Sequence, residues 1–491
     1  MSASATGSVE SGKQPASPPP APKNALDRFF KISERGSSVS SEIRGGLATF
    51  FAMAYIVVLN PIILGAGEDK FGHQLDNTQL VTATALIAGL TTLLMGIIGN
   101  VPIALAAGLG INAVVSLQLA PKMSWPDAMG MVVLAGLVLM LLVASGLRQR
   151  VMDAIPNGLR RSIAIGIGLF ICLIGLVDSG FVTRNPDAAN TTVPLGLGQG
   201  GQLQGWPVLV FVLGLALMFI LVVRKTKGAI LIGIVVMTVV AIVINSIATI
   251  PDTAWGLAVP KVPDSVVSTP DFGLVGQISL FDGFKEVGWL TGCLFVFTVL
   301  LSGFFDAMGT IIGVGEESKL ADENGQLPRM GRILMMDGIG VAGGGFGSCS
   351  ANTCFVESTA GVGEGARTGL ANVLTGALFL LTLIFTPLAT VVPSQAATPA
   401  LVVVGFLIMA SNVREIDWSD ASVGIPAFLT LVSMPFTYSI TNGIGIGVLA
   451  FIVLRAATGR IREIPWLLSV VGACFLVYFL LNPIEQLIGV K

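Results

Sequence analysis

Residues 345–367 read GFGSCSANTCFVESTAGVGEGAR, and residues 102–117 read PIALAAGLGINAVVSL. Each stretch is the third apolar segment of its half of the chain, and each mixes glycine and small polar residues where a lipid-facing helix would carry Leu and Ile. At membrane depth an irregular backbone is tolerated only where it is buried in protein or lines a cavity. Two interrupted segments in matching positions therefore predict a binding site between them.

The rest of the chain has the composition of a multi-pass helical membrane protein. Hydrophobic residues make up 53% of its 491 residues and charged residues only 11%, and the mean hydropathy is +0.84. A soluble chain could not remove that much apolar surface from water. The formal net charge of -2 comes with no basic stripe or cluster, which argues against a nucleic-acid partner.

Apolar runs recur at about the 20 residues that a spanning helix needs. Nine long runs cover 46–65, 80–99, 126–147, 158–178, 207–223, 228–250, 289–315, 367–392 and 441–457. Five shorter or glycine-broken runs cover 101–119, 331–345, 347–362, 398–412 and 423–439. Together they predict fourteen membrane segments. A further apolar stretch, 464–483, is left open as a spanning or an interfacial helix.

Basic residues indicate the orientation of these segments, because Lys and Arg near short loops stay cytoplasmic. With a cytoplasmic N-terminus, the inward loops hold Arg148, Arg150, Arg160, Arg161, Arg224, Lys225, Lys227, Arg455, Arg460 and Arg462. The Pro-, Asp- and Ser-rich stretch 251–287 divides the chain into halves of seven segments. Since seven is odd, the halves have opposite orientations, which is the inverted-repeat plan of many secondary transporters.

Cysteine and histidine usage indicates neither a disulfide framework nor a metal site. The five cysteines include no CxxC pair, and the single histidine, His73, lies in a polar loop. Such a pattern supports no zinc centre. The chain also has no HExxH zinc pair, no GxSxG nucleophile and no P-loop. The sequence therefore predicts neither an enzyme nor a bound cofactor.

Two acidic residues stand at membrane depth. Asp306 follows an apolar run in FTVLLSGFFDAMGT (297–310), and Glu357 lies inside the interrupted segment 345–367. Such a residue costs roughly 2.5 to 3.5 kcal/mol on insertion scales and by default marks a substrate or proton site. The alternative is that each acid pairs with a neighbouring backbone group or hydroxyl and holds a helix break.

Five motifs occur in order: GLATFFAMAYIVVLNPIIL (46–64), AGLGINA (107–113), FFDAMGTIIGV (304–314), NTCFVESTAGVGEGARTGL (352–370) and IPAFLTLVSMPFTYSITNGIGIG (425–447). Together they resemble the AzgA-like adenine/guanine/hypoxanthine permeases of the nucleobase-ascorbate transporter superfamily, from about residue 28 to residue 457. The resemblance implies an all-α polytopic membrane protein with a seven-plus-seven inverted repeat. In such folds segments three and ten contain short antiparallel β-strands followed by half-helices.

The resemblance also implies a division into core and gate domains. The expected boundaries are 1–42 for a disordered cytoplasmic tail, 43–147 for core segments one to four, 148–250 for gate segments five to seven, 251–287 for an extracellular linker, 288–392 for core segments eight to eleven, 393–457 for gate segments twelve to fourteen, and 458–491 for a C-terminal tail with an additional apolar helix. Within the first tail, LDRFFKI (26–32) is a short amphipathic stretch.

Carried over position by position, the resemblance implies a set of substrate-binding residues. Asp306 falls on the family's segment-eight acidic residue, Glu357 on its segment-ten acidic residue, and Asn112 on an asparagine associated with purine binding. The other expected lining residues are Phe355, Asn352, Thr353 and Ser358. Asp306 and Glu357 are also the candidates for proton coupling. For Asn112 the alternative is a helix-capping amide at the start of the half-helix.

The implied function is import of the purine bases hypoxanthine, guanine or adenine by a secondary active transporter. A purine presents ring N–H donors beside carbonyl or ring-nitrogen acceptors, so a carboxylate and an amide can pair with one edge. A carboxyl group removed from water can also gain or lose a proton near neutral pH, which suits proton symport. The resemblance further implies elevator-like alternating access and a cell-membrane location. A homodimer is left open.

An alternative with the same architecture is an anion transporter or channel of the sulfate-permease type. Two carboxylates would repel an anion, which prefers basic side chains or helix N-termini. The sequence also departs from the family pattern, since Gly303 stands where many members carry a second acidic residue and Ala307 where they carry threonine. This departure leaves open which purine is preferred and how many protons, or sodium ions in their place, accompany it.

Overall fold

The chain is helical over most of its length. The computed structural model describes Pro22 and residues 24–146, 155–184, 195–226, 228–248, 250–255, 258–263, 265–321 and 327–480. The elements of the first half are α1 (Ala25–Phe30), α2 (Val39–Met53), α3 (Ile56–Gly65), α4 (Asn77–Leu94), β1 (Leu105–Ala107), α5 (Leu109–Val114), α6 (Trp125–Ala144), α7 (Asn157–Asp178), β2 (Val182–Arg184), β3 (Leu195–Leu197), α8 (Trp206–Val223) and α9 (Ala229–Ile247). A π-helical turn follows α4 at Met95–Gly99 and another follows α5 at Val115–Leu119.

The second half contains one short strand among its helices. Its elements are α10 (Asp282–Val287), α11 (Trp289–Ser318), α12 (Met330–Phe346), β4 (Asn352–Cys354), α13 (Ser358–Gly363), α14 (Gly369–Thr382), α15 (Thr386–Thr390), α16 (Ser394–Ala397), α17 (Pro399–Asn412), α18 (Ala421–Phe436), α19 (Ile440–Ala457) and α20 (Trp466–Phe479). The strand again lies in the glycine-rich part of the sequence, between two longer helices.

Ten helical stretches of the described chain are long and apolar enough to cross a membrane, so the chain is a multi-pass membrane protein. Nine of them coincide with the nine long apolar runs, and the tenth, Ser394–Glu415, contains the shorter run 398–412. The runs 331–345 and 423–439 form α12 and α18, which are 17 and 16 residues long. The count of fourteen membrane segments therefore stays a prediction.

The two interrupted segments contain the strand and half-helix that the resemblance implies. β1 is followed by α5 and β4 by α13, and each of these helices has six residues. The strands pair antiparallel, with Leu105 opposite Cys354 and Ala107 opposite Asn352. Because lipid offers no hydrogen-bond partner, this pairing satisfies backbone groups that a broken helix would otherwise leave unpaired.

The longer helices pack in two groups. In the first, α6 packs against α12, and α14 packs against α2 and α4. In the second, α7 packs against α17 and α18, and α18 packs against α19. Glycine permits close crossings in both: a Cβ on Gly376 would lie 2.7 Å from the carbonyl oxygen of Gly89, and a Cβ on Gly168 would lie 2.9 Å from that of Gly405. Small residues therefore set these helix separations.

The structure differs from the sequence prediction at the N-terminal end. Residues 24–42, assigned to a disordered tail, contain α1 and the beginning of α2. Arg35 Nη1 donates to the carbonyl oxygen of Arg367 at 3.0 Å, and the buried carboxylate of Glu42 accepts from the backbone N–H of Arg367 at 2.9 Å. These contacts fix the segment against the start of α14. The prediction for residues 1–21 and 23 lies outside the described residues.

The additional C-terminal helix is present as α20. Its Phe475 is fully buried, with its ring centroid 6.2 Å from that of Phe297 in α11. The helix has 14 residues, and residues 481–491 lie outside the described part of the chain. Whether 464–483 crosses the membrane therefore stays open.

Replacing Gly376 with alanine is expected to destabilise the folded protein. The added methyl group would meet a backbone oxygen of α4, and overpacking of this kind costs about 1 to 3 kcal/mol. Gly331→Ala in α12 is the matched control, because no described atom beyond its own helix lies within 4 Å of its Cβ position. Thermal unfolding of detergent-purified protein should show a lower midpoint only for Gly376→Ala. Equal midpoints for the two variants would contradict the packing described here.

Candidate functional site

The β1–β4 pair stands beside the two predicted acids. Asp306 lies within α11, and its Oδ2 atom is 3.4 Å from the position that a Cβ on Gly108 would occupy, between β1 and α5. Glu357 directly precedes α13, and its charge interacts with that of Asp306. Asp306 is exposed and Glu357 is half-buried, so neither carboxyl group is sealed inside the protein. The fold therefore brings the two acids to one site.

A tyrosine from the first half of the chain holds the second acid. The hydroxyl of Tyr55, which lies between α2 and α3, donates a hydrogen bond to Oε1 of Glu357. Tyr55 is fully buried, and its ring centroid is 6.4 Å from that of Phe355. Sequence reasoning missed this residue. The signal in the sequence is a tyrosine within an apolar run. A buried tyrosine usually has a hydrogen-bond partner for its hydroxyl, so a polar partner could have been expected.

A third acid, Asp337, braces the strand pair from α12. It is fully buried, and its Oδ1 accepts from the Thr353 hydroxyl at 2.9 Å and from the Cys354 backbone N–H at 3.3 Å. Its charge also interacts with that of Asp306. Sequence reasoning missed Asp337 too, although an acid in the apolar run 331–345 is as unusual as the two acids that were selected.

Three predicted lining residues use their polar atoms to hold the strands. Asn352 Nδ2 donates to Thr91 Oγ1 at 3.3 Å. Ser358 Oγ donates to the Phe355 carbonyl oxygen at 2.6 Å and accepts from the Ala104 N–H at 3.0 Å. With the bond from Thr353 to Asp337, all three side chains are engaged with protein. Their contacts position the strands and the half-helix rather than face an open space.

Asn112 presents an unpaired amide. The residue that caps α5 is Gly108, which makes no side-chain cap, and Asn112 stands one turn further along the helix. It is fully buried, and neither Nδ2 nor Oδ1 has a hydrogen-bond partner among the residues that the structure describes. An unsatisfied buried polar group costs about 1 to 3 kcal/mol. The capping alternative is therefore not what the structure contains, and the amide can serve a ligand.

Two further positions complete the surroundings of the acids. Phe355 is 6% exposed and directly follows β4, and its ring is near that of Tyr55, the hydrogen-bond donor to Glu357. At Gly303, one turn before Asp306, a Cβ would meet Ile111 Cδ1 at 3.4 Å and Val341 Cγ2 at 3.8 Å. That part of α11 faces apolar side chains, and it carries no second acid.

Metal-binding side chains are not clustered in the described part of the chain. Within the described ranges no group of three or more His, Cys, Asp and Glu side chains could hold a metal ion. What the site offers is a set of hydrogen-bonding groups: carboxylate acceptors, one unpaired amide and an aromatic ring. Such a set can recognise a neutral, planar and polar molecule.

Comparison with known proteins gives extensive matches along the sequence. A family profile described as "Permease family" (Xan_ur_permease) matches residues 40–446. The adenine permease AdeQ of Escherichia coli is 36% identical over 461 residues, covering 93% of this chain and 96% of that protein. The guanine/hypoxanthine permease PbuG of Bacillus subtilis is 36% identical over 460 residues, covering 93% of this chain and 99% of that protein.

Solved structures match in fold at much lower identity. The transmembrane domain of a cyanobacterial bicarbonate transporter, BicA, has a TM-score of 0.56 and 15% identity, covering 85% of this chain and 97% of that chain. SLC26A9 has a TM-score of 0.60 and 13% identity, covering 89% of this chain and 67% of that chain. At these identities the likeness shows the fold alone.

Replacing Asp337 with leucine is expected to destabilise the strand pair. The change removes the acceptor shared by the Thr353 hydroxyl and the Cys354 N–H. The hydroxyl keeps only the Gly303 carbonyl oxygen at 3.4 Å, and a buried donor that loses its acceptor costs about 1 to 3 kcal/mol. Asp337→Asn keeps an oxygen acceptor and is the matched variant. Thermal unfolding should rank the leucine variant clearly below the asparagine variant. A leucine variant as stable as the asparagine one would show that these bonds do not brace β4.

Proposed function

The chain belongs to the permease family, and we propose that it imports purine bases by proton symport. Relatives named as adenine and guanine/hypoxanthine permeases match nearly the whole chain. The observation that carries the proposal is the site itself, in which Asp306, Glu357 and the unpaired amide of Asn112 stand around the β1–β4 pair. A neutral purine base has donors and acceptors that complement these groups.

In this proposal recognition of the base is divided among three polar side chains and one ring. Asp306 and Glu357 accept hydrogen bonds from the ring N–H groups of the base. Asn112 donates to and accepts from the complementary atoms on the same edge, which satisfies both of its buried amide atoms. Phe355 stacks on the purine ring. These contacts also explain why the amide is retained in a buried position.

Asn352, Thr353 and Ser358 act by positioning the site. Each bonds to protein through its polar side-chain atoms, so each holds a strand or the start of α13 in place. Loss of any of them would move Phe355 or Glu357 relative to Asp306. Their effect on substrate is therefore indirect.

Proton coupling follows from the closeness of the acids. Asp306 and Glu357 interact electrostatically, and Asp337 adds a third acid to the same region. Like charges held near one another in a membrane favour uptake of a proton by one of them. A proton that neutralises one carboxyl group lowers this repulsion while the other still accepts from the base. Substrate and proton thus bind together.

We propose that the two helix groups are the core and gate domains and that their relative movement transports the base. The first helix group, with α6, α12 and α14, contains the site, and the second, with α7, α17 and α18, packs as a unit of its own. In the proposed elevator-like cycle the first group carries the site past the second. The N-terminus lies in the cytoplasm of a cell whose plasma membrane the chain crosses, which agrees with the basic residues of its inward loops.

The anion alternative has less support. The solved structures that share the fold include a bicarbonate transporter. Their sequence identity to this chain is too low to indicate that the substrate is shared. The acids at this site would repel an inorganic anion, since two like charges about 4 Å apart interact by roughly 4 kcal/mol near a protein surface. A neutral base meets no such barrier.

The proposal is tested by an uptake assay in transporter-deficient cells that express the chain. The labelled substrates are hypoxanthine, guanine and adenine. We expect accumulation of at least one base, abolished by a proton uncoupler and unaffected by excess sulfate or bicarbonate. Glu357→Gln should lower uptake roughly 10- to 100-fold, since a hydrogen bond to a charged group contributes about 1.5 to 3 kcal/mol. Accumulation that survives the uncoupler would remove proton coupling, and no accumulation of any base would remove the function.

Glu286→Gln is the matched control for that variant. Glu286, an exposed residue of α10, makes an ion pair with Lys70 of the loop between α3 and α4, and such surface pairs contribute about 0 to 1 kcal/mol. The same chemical change there should leave uptake unaltered. Equal losses in the two variants would mean that the effect of Glu357→Gln does not arise at the site.

A further inference from the structure

A polar stripe follows one face of α11 away from the acids. Thr298, Ser302 and Asp306 are spaced by four residues, so they lie on one helix face about 6 Å apart along the axis. Thr298 and Ser302 are both 1% exposed. Because α11 follows the outward linker 251–287, Thr298 lies nearer the outer side of the membrane than Asp306.

The hydroxyl in the middle of this stripe has no protein partner among the described residues. Ser302 Oγ is buried and unpaired, whereas Thr298 Oγ1 donates to the Leu294 carbonyl oxygen at 2.8 Å in the usual way for a helical hydroxyl. Ser302 does not make the equivalent bond to its own helix. A buried hydroxyl left in this state costs about 1 to 3 kcal/mol unless another molecule satisfies it.

The outer end of the stripe is tied to the second helix group by hydrogen bonds. Thr441 Oγ1 lies 3.1 Å from Thr298 Oγ1 and donates to Gln118 Oε1 at 2.9 Å, and Ser439 Oγ donates to the same oxygen at 3.2 Å. Gln118 Nε2 is buried and has no partner in the ranges that the structure covers. Gln118 lies in the π-helical turn after α5, and such turns are frequent at functional sites.

We propose that Gln118, Thr298 and Ser302 bind a file of water molecules that conducts protons between the outer side and Asp306. The rise of about 6 Å between successive residues of the stripe is too long for a direct hydrogen bond, so a proton needs at least one intervening water at each step. The unpaired Ser302 hydroxyl and Gln118 amide supply the polar partners that buried water needs. This inference rests on the proposed proton symport and gives it a route.

The charged groups around the route lie at its two ends. Asp306, at the inner end, interacts electrostatically with Glu357, Asp337 and Tyr55. Near the outer end the ammonium group of Lys122 lies 5.1 Å from the centroid of the Phe295 ring. The proton acceptors therefore stand at the inner end of the stripe, beside the substrate site.

Two uptake modes separate the route from the site. Uptake driven by a proton gradient requires a proton to enter for each base. The second mode is exchange of labelled for unlabelled base in preloaded and uncoupled cells. During exchange the carrier returns with its proton still bound, so no proton needs to move along the stripe. The assay uses whichever of hypoxanthine, guanine and adenine the unaltered chain takes up fastest.

Ser302→Ala is expected to slow proton-driven uptake roughly fivefold, about 1 kcal/mol in the barrier, and to change exchange by less than about twofold. Ser302→Thr retains the hydroxyl and should keep the driven rate within about twofold of the unaltered chain. Ser162→Ala is the matched control, since that buried serine already donates to the Leu159 carbonyl oxygen at 2.8 Å. It should leave both modes unchanged.

Equal losses of driven uptake and exchange in Ser302→Ala would overturn the inference, because they would mean that the residue supports the site itself. Driven uptake equal to that of the unaltered chain would overturn it as well. Both results require that the unaltered chain accumulates a base. If it accumulates none, the proposed function fails together with the route, and this result is distinct from the other two.

Discussion

The antiparallel pairing of β1 with β4 is the constraint on which the rest of the structure depends. Two membrane segments stop being helical at this point, and lipid cannot satisfy the backbone groups that they expose. Three-residue strands satisfy them, with Leu105 opposite Cys354. Asp337 then fixes β4 through Thr353 and the backbone of Cys354. The short helices that follow can end in the middle of the protein, with Asp306 and Glu357 beside them.

Much of this site could be predicted from the sequence, because interrupted segments have a composition of their own. Glycine and small polar residues at 102–117 and 345–367 predicted the breaks, and the high cost of an acid at membrane depth selected Asp306 and Glu357. The resemblance to purine permeases supplied Asn112 and the strand pairing. Periodicity and composition alone do not specify which strand pairs with which, since that depends on contacts between the two halves of the chain.

What the sequence did not reveal depends on contacts across long separations. Tyr55 reads as a core residue of an apolar run, and only its hydrogen bond to Glu357 in the other half gives it a role. Asp337 lies in a glycine-rich helix, where its fully buried carboxylate has partners on a strand that the sequence alone does not place. The folded segment between residues 24 and 42 was missed for the same reason, because Glu42 is stabilised by the backbone at Arg367.

The most direct test is whether a purine base binds at the site beside this strand pair. Binding is measured by calorimetric titration of hypoxanthine, guanine and adenine into detergent-purified protein. We predict that at least one base binds and that Asn112→Leu, which replaces the unpaired amide by an apolar group of similar size, weakens binding roughly tenfold or more. Glu286→Gln should bind as the unaltered chain does. No binding of any base to folded protein, or equal binding by the Asn112→Leu variant, would contradict the assignment of the site.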